Sequence, residues 1–145
     1  MEIISTGKRE ADIADAIVSR TYEVYGYDVN PVAIEHLRGR DRWKDPFIEP
    51  FEAATFWDSL EHIPDPARAV SRVGRWAFVS LPIFSGPEHI LRSRHFRPDE
   101  HFWYWSRNGF TSWMTSLGFE LVEHSEIEQE LGREDIETFA FRRRD

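Results

Sequence analysis

Apolar and polar positions along this chain fall into a repeating order of strands and helices. Residues 2–7, Glu2-Ile3-Ile4-Ser5-Thr6-Gly7, read as a short strand that breaks at a glycine. Ile13, Ala16 and Ile17 then recur on one face of a helix over residues 11–19. Residues 22–28 form a second apolar run closed by an acid, Asp28. Asn30 and Pro31 open a helix through Val32, Ala33, Ile34 and Leu37, and Gly39 marks its end. Residues 39–50 are charged and irregular, with room for one short edge strand.

Phe51–Trp57 has the length and composition of a buried strand. Asp65 and Pro66 start a helix over residues 67–73 that Gly74 closes. Residues 76–83 are almost continuously apolar, as a central parallel strand should be. Ser106 is an N-cap for a helix carrying Phe110, Trp113, Met114 and Leu117, and Gly118 ends it. Residues 119–123 and 136–141 alternate as a closing antiparallel pair around a polar connection. No internal repeat or low-complexity segment interrupts this order. It predicts an α/β fold: a single Rossmann-like, doubly wound and mostly parallel sheet with helices on both faces.

Composition narrows the choices. A chain of 145 residues, 41% hydrophobic and 14% aromatic, suits one domain over residues 1–145 that buries roughly two-thirds of its unfolded surface. Without cysteine there is no disulfide, thiolate metal site or cysteine nucleophile, which agrees with a reducing compartment. No leader pattern and no run of eighteen apolar residues is present, so the expectation is a soluble cytoplasmic protein with no membrane partner. A net charge of −8 opposes broad binding to a nucleic-acid backbone. The basic cluster Arg142, Arg143 and Arg144 reads as a solvated tail.

Three stretches carry candidate chemistry. Strand, turn, helix, strand and acid make the front half of a mononucleotide-binding unit, in which Asp28 would accept two hydrogen bonds from a ribose diol. The plain alternative is an acid that merely ends a strand. The first turn, Gly7-Lys8-Arg9-Glu10-Ala11, keeps only the first glycine of an alternating set, with Arg9 in the second place and Ala11 in the third. It is not a P-loop, since Glu2 and Arg9 occupy places that need a glycine and a hydroxyl.

Asp58, Glu61 and His62 stand at i, i+3 and i+4, so one helical turn would converge two carboxylates and an imidazole. Such a trio can hold a divalent ion, or orient the imidazole as a general base. It can also do no more than cap strand and helix ends. Farther along, the aromatics Phe102, Trp103, Tyr104 and Trp105 lie outside the helical repeat and would wall a flat small-molecule acceptor or form a homodimer patch.

Gly26-Tyr27-Asp28-Val29-Asn30-Pro31, followed by Asp58-Ser59-Leu60-Glu61-His62-Ile63-Pro64-Asp65-Pro66, resembles class I S-adenosylmethionine-dependent methyltransferases, and most closely the ubiquinone-biosynthesis O-methyltransferase branch. The resemblance covers nearly the whole chain, which is short at its N-terminus beside that family and carries a degenerate glycine-rich motif. It implies a seven-stranded sheet with the last strand reversed, and S-adenosylmethionine contacts from Gly7, Asp28, Asn30, Asp45 and Asp58. Asp45 would take the adenine edge. It also implies a divalent metal held by Asp58, Glu61, His62 and a later histidine, for which His101 is the matching candidate and His89 and His95 are alternatives. His62 or His101 would take the acceptor proton. Two functional readings stand: methyl transfer to an oxygen nucleophile of a small molecule, or a catalytically inactive relic serving as a binding or oligomerisation module.

Overall fold

The computed structural model describes residues 2–6, as backbone, and 22–145. Among these the sheet has six strands: β1 (Glu2–Thr6), β2 (Glu23–Tyr27), β3 (Phe51–Trp57), β4 (Val73–Pro82), β5 (Phe119–Ser125) and β6 (Ile136–Arg143), in the spatial order β2-β1-β3-β4-β6-β5. The pairs β1–β2, β1–β3 and β3–β4 are parallel, while β6 runs antiparallel to both β4 and β5. Only the last strand in sequence is therefore reversed.

The seventh strand expected from the resemblance is reduced, among the described residues, to one bridge between Gly26 and Trp43. The charged turns of residues 39–50 leave too short an extended run for a ladder. The helix predicted over residues 11–19, and the Gly7 turn, lie outside the described residues.

Capping residues set the helices. In α1 (Pro31–Arg38) the Asn30 side chain accepts from Val32 N–H, and Pro31 needs no partner at the first position. Its one buried residue, Leu37, lies so close to β2 that a Cβ on Gly26 would stand 2.8 Å from Leu37 Cδ2. A side chain at position 26 would therefore make the Leu37 methyls shift for α1 to keep its seat. In α2 (Pro66–Val70), Asp65 caps as expected, but the helix stops at Ser71 and Gly74 lies inside β4. A short α3 (Pro87–Arg92) follows β4, and Ser106 accepts from Gly109 N–H to start α4 (Arg107–Ser116). Gly118 at φ +88° ends that segment, and α5 (Ile127–Glu130) joins β5 to β6.

The core lies along β3, β4 and β6 beneath α4. Phe56, Leu81, Phe110, Met114, Phe119, Phe139 and Phe141 are fully buried there. The C-terminal cluster is part of this structure, not a loose tail. Arg143 lies in β6 and donates to the carbonyls of Val73 and Leu117, while Arg142 pairs with Glu120. Carbonyls left over at helix ends draw a guanidinium inward.

Candidate functional site

Strand register sets the site. Tyr27 aligns with Thr6, Thr6 with Phe56 and Phe56 with Val79. Asp28 and Asp58 therefore follow the ends of β2 and β3 on one edge of the sheet, two inter-strand spacings or roughly 10 Å apart across β1. That is the edge where parallel strands deliver their C-terminal ends, the usual place for a ligand in such sheets.

At β2, Asp28 Oδ1 accepts the Asn30 N–H at 2.8 Å, which orients the carboxylate at the strand tip. Asp45 accepts Phe47 N–H at 2.8 Å and so shapes the turn after Trp43. Both acids act on a residue that composition and spacing had not singled out, Tyr27. Its hydroxyl pKa is raised by burial first, then by the charges of Asp45 and Asp28. Trp43 lies 6.4 Å from the Tyr27 ring, with its indole Nε1 buried and without a hydrogen-bond partner. Phe47 meets Tyr27 edge-on at 5.7 Å.

At β3, the chain turns through Asp58, at φ +45°, into a single 3-10 turn, Leu60–His62. Ile63, before Pro64, is extended, and this stops the turn. Three hydrogen bonds then fasten the turn to the loop before α4: Phe102 N–H to Glu61 O at 2.8 Å, His62 Nδ1 to Glu100 O at 3.1 Å, and Trp103 Nε1–H to Ile63 O at 2.9 Å. They bring His101 against His62, ring centroids 4.5 Å apart and nearly perpendicular.

A carbonyl only accepts, so His62 Nδ1 carries the proton and Nε2 keeps its lone pair in the neutral ring. One ligand atom from each of Glu61, His62 and His101 falls within 4.8 Å of the others. Asp58, expected to share this site, instead pairs with Arg133, which also binds Glu128. Glu128 in turn accepts from Ser80 and Thr138, so the acid is drawn into the sheet's own polar network.

The trio is electrostatically unusual. Glu61 is buried, and burial, with the Asp58 charge adding to it, pushes its carboxyl up to about 8. Burial, then the His62, Arg97 and His95 charges, pushes His101 down to about 4. Glu61 Oε2 and His101 Nδ1 are buried with no hydrogen-bond partner. Orphaned polar atoms are rare in folded interiors, and two of them within a group of one carboxylate and two imidazoles are a donor set that could hold a cation. Of the four aromatics expected to wall an acceptor, Trp105 belongs to the core, whereas Phe102 and Trp103 are exposed beside the trio.

A family model described as a methyltransferase domain matches residues 1–124. No curated protein matches. Among solved structures, a magnesium protoporphyrin IX methyltransferase from Synechocystis, with bound S-adenosylhomocysteine, is 11% identical and has a TM-score of 0.68, over 98% of this chain and 74% of that one. A SAM-dependent methyltransferase of Methanosarcina mazei is 16% identical, TM-score 0.67, over 98% of this chain and 92% of that one. A Burkholderia thailandensis 1,6-didemethyltoxoflavin-N1-methyltransferase, with bound 1,6-didemethyltoxoflavin and S-adenosylhomocysteine, is 13% identical, TM-score 0.70, over 99% of this chain and 71% of that one. At these identities the likeness shows the α/β methyltransferase fold.

Proposed function

This chain belongs to the methyltransferase-domain family, and from that premise we propose that it transfers the methyl group of S-adenosylmethionine to an oxygen nucleophile of a small molecule. The observation that carries this reading is Asp28, oriented by Asn30 at the tip of β2 on the ligand-bearing edge of the sheet. There it would accept hydrogen bonds from both ribose hydroxyls, and the neighbouring Tyr27 and Trp43 rings would border the adenine side. Gly7, outside the described residues, is the sequence's candidate for a contact with the methionine end.

When bound, the sulfonium supplies an electrophilic methyl group, and the sheet's part is to hold an acceptor hydroxyl in line with it. His101 stays neutral through the physiological range, and His62 presents Nε2, so either imidazole is available to take the acceptor proton. Where Glu61, His62 and His101 instead hold a divalent ion, their free lone pairs go to the ion, which would fix the acceptor oxygen and ease loss of its proton in place of an imidazole base. A set of two nitrogens and one oxygen suits zinc or manganese better than calcium. Phe102 and Trp103 would flank a flat acceptor there.

Calorimetric titration with S-adenosylmethionine and S-adenosylhomocysteine tests the reading. Saturable binding, weakened about 10- to 100-fold by Asp28→Ala, is expected from the loss of charge-assisted hydrogen bonds. Equal binding by Asp28→Ala and wild type, or no binding at millimolar donor, would remove it.

A further inference from the structure

A cavity of about 510 Å³ opens on the same edge of the sheet, beyond the end of β4, with Ser85, His89, Arg107, Asn108, Gln129 and Asp135 among its lining. Three of these form a hydrogen-bonded series that methyl transfer does not use. His89 Nδ1 accepts Ser85 N–H at 3.1 Å and lies 3.2 Å from Ser85 Oγ. Its Nε2 is 2.9 Å from Asp135 Oδ1. A backbone N–H only donates, so Nδ1 carries the lone pair and Nε2 the proton, which it gives to Asp135.

Asp135 is itself held in place. Its Oδ2 accepts from Ser93 Oγ at 2.6 Å, its carbonyl accepts Ile83 N–H at 2.9 Å, and its backbone sits at φ +65°, a conformation that side-chain-bearing residues seldom adopt. The Phe84 ring closes one side of His89 at 5.5 Å. Ser85 is exposed to the cavity, whereas the Asp135 side chain is only 10% exposed. An accessible hydroxyl, a base within reach of its proton and a buried acid orienting that base are the parts of an activated nucleophile.

We propose that Ser85, His89 and Asp135 form a second reactive site that cleaves small carboxylic esters. Ser85 Oγ bonds to the ester carbonyl carbon while His89 Nδ1 takes its proton. The alkoxide then leaves with that proton as the alcohol, and water, deprotonated by the same imidazole, releases the acid and restores Ser85. Asn108 and Gln129, which line the same cavity, would be the donors for the charge on the carbonyl oxygen, since Arg107 is held by Glu126 and Glu137. The competing structural account makes the Ser85–His89 contact a local brace for the start of α3.

A fluorophosphonate separates the two, and it needs no methyl donor, so the outcome is independent of the proposed methyl transfer. A phosphorus–oxygen bond forms at Ser85 as fluoride leaves. The expected result is a single adduct on the wild-type chain, located on Ser85 by tandem mass spectrometry, with labelling lost in Ser85→Ala. Asp135→Asn, in which asparagine tolerates the positive φ, should label at least about tenfold more slowly while keeping its circular dichroism. No adduct, an adduct elsewhere, or Asp135→Asn labelling at the wild-type rate would overturn the proposal. Mapping the adduct on the wild type decides the point even if Ser85→Ala fails to fold.

Discussion

Glu61 and Glu137 are buried to nearly the same depth, 2% and 4% exposed, yet burial leads to opposite outcomes. Glu137 receives two Arg107 hydrogen bonds at 2.8 Å and one from His124 at 2.6 Å. Burial alone would raise it, but the Arg107 and His124 hydrogen bonds and charges outweigh that and hold its carboxyl below the usual range. Glu61 has neither cation in contact and one oxygen without a partner. Depth, then, does not mark a candidate site. A buried acid whose surroundings fail to satisfy it does.

The largest effect that tests this contrast is on stability against pH. Below pH 4.5 Glu61 is protonated whether folded or not. Between 4.5 and about 8 the unfolded chain releases the proton and the folded chain keeps it, so stability falls as pH rises, by on the order of 4 kcal/mol across the window. Glu61→Gln removes the titration, and chemical denaturation at pH 5 and pH 9 should show the variant gaining on wild type at the higher pH. Parallel pH profiles would mean that Glu61 is satisfied after all.

Next in size is the response to metal. Zinc or manganese at a hundredfold excess over its dissociation constant should stabilise the folded chain by about 2.7 kcal/mol, read as a rise in melting temperature. His101→Ala should abolish the rise, whereas Glu137→Gln should leave it intact. A shift that survives in His101→Ala would place the ion elsewhere.

Glu137→Gln should cost less, about 1–2 kcal/mol, because the half-exposed Arg107 can return to water. Its sign with pH is also opposite to that of Glu61. With a depressed folded pKa, Glu137 contributes stability above the ordinary carboxylate range and loses it as pH falls, so the cost of the substitution should shrink in acid. Smallest is Trp103→Phe, which removes one of the three hydrogen bonds fastening the His101 loop, about 1 kcal/mol. Its sharper readout is a weakened metal response with the Glu137 region unchanged.

Local chemistry was legible wherever a residue acts on its own neighbours. Asn30 and Ser106 cap the helices they were expected to cap, Gly118 ends one, and Asp28 stands at a strand tip, because each depends on contacts within a few positions. The trio was legible only in part. Glu61 and His62 come from one turn, but His101 reaches them through bonds such as Trp103 to Ile63, 40 positions apart. Asp58 fits the helical spacing of a ligand and is diverted by Arg133, 75 positions away. Nothing in the short-range pattern announces such a competitor. The Ser85, His89 and Asp135 series was out of reach for the same reason, with His89 and Asp135 separated by 46 positions.

The sequence by itself determined the order of the described strands, the helices opened by Asn30, Asp65 and Ser106, and the acid at the end of β2, since periodicity and caps act over one or two turns. It did not determine the short helices Pro87–Arg92 and Ile127–Glu130. Tertiary structure decided how many strands pair, which acids are satisfied and which stay orphaned. Those outcomes depend on what the sheet brings alongside each group, where an arginine and a histidine within hydrogen-bond reach reverse the direction in which burial shifts the Glu137 carboxylate.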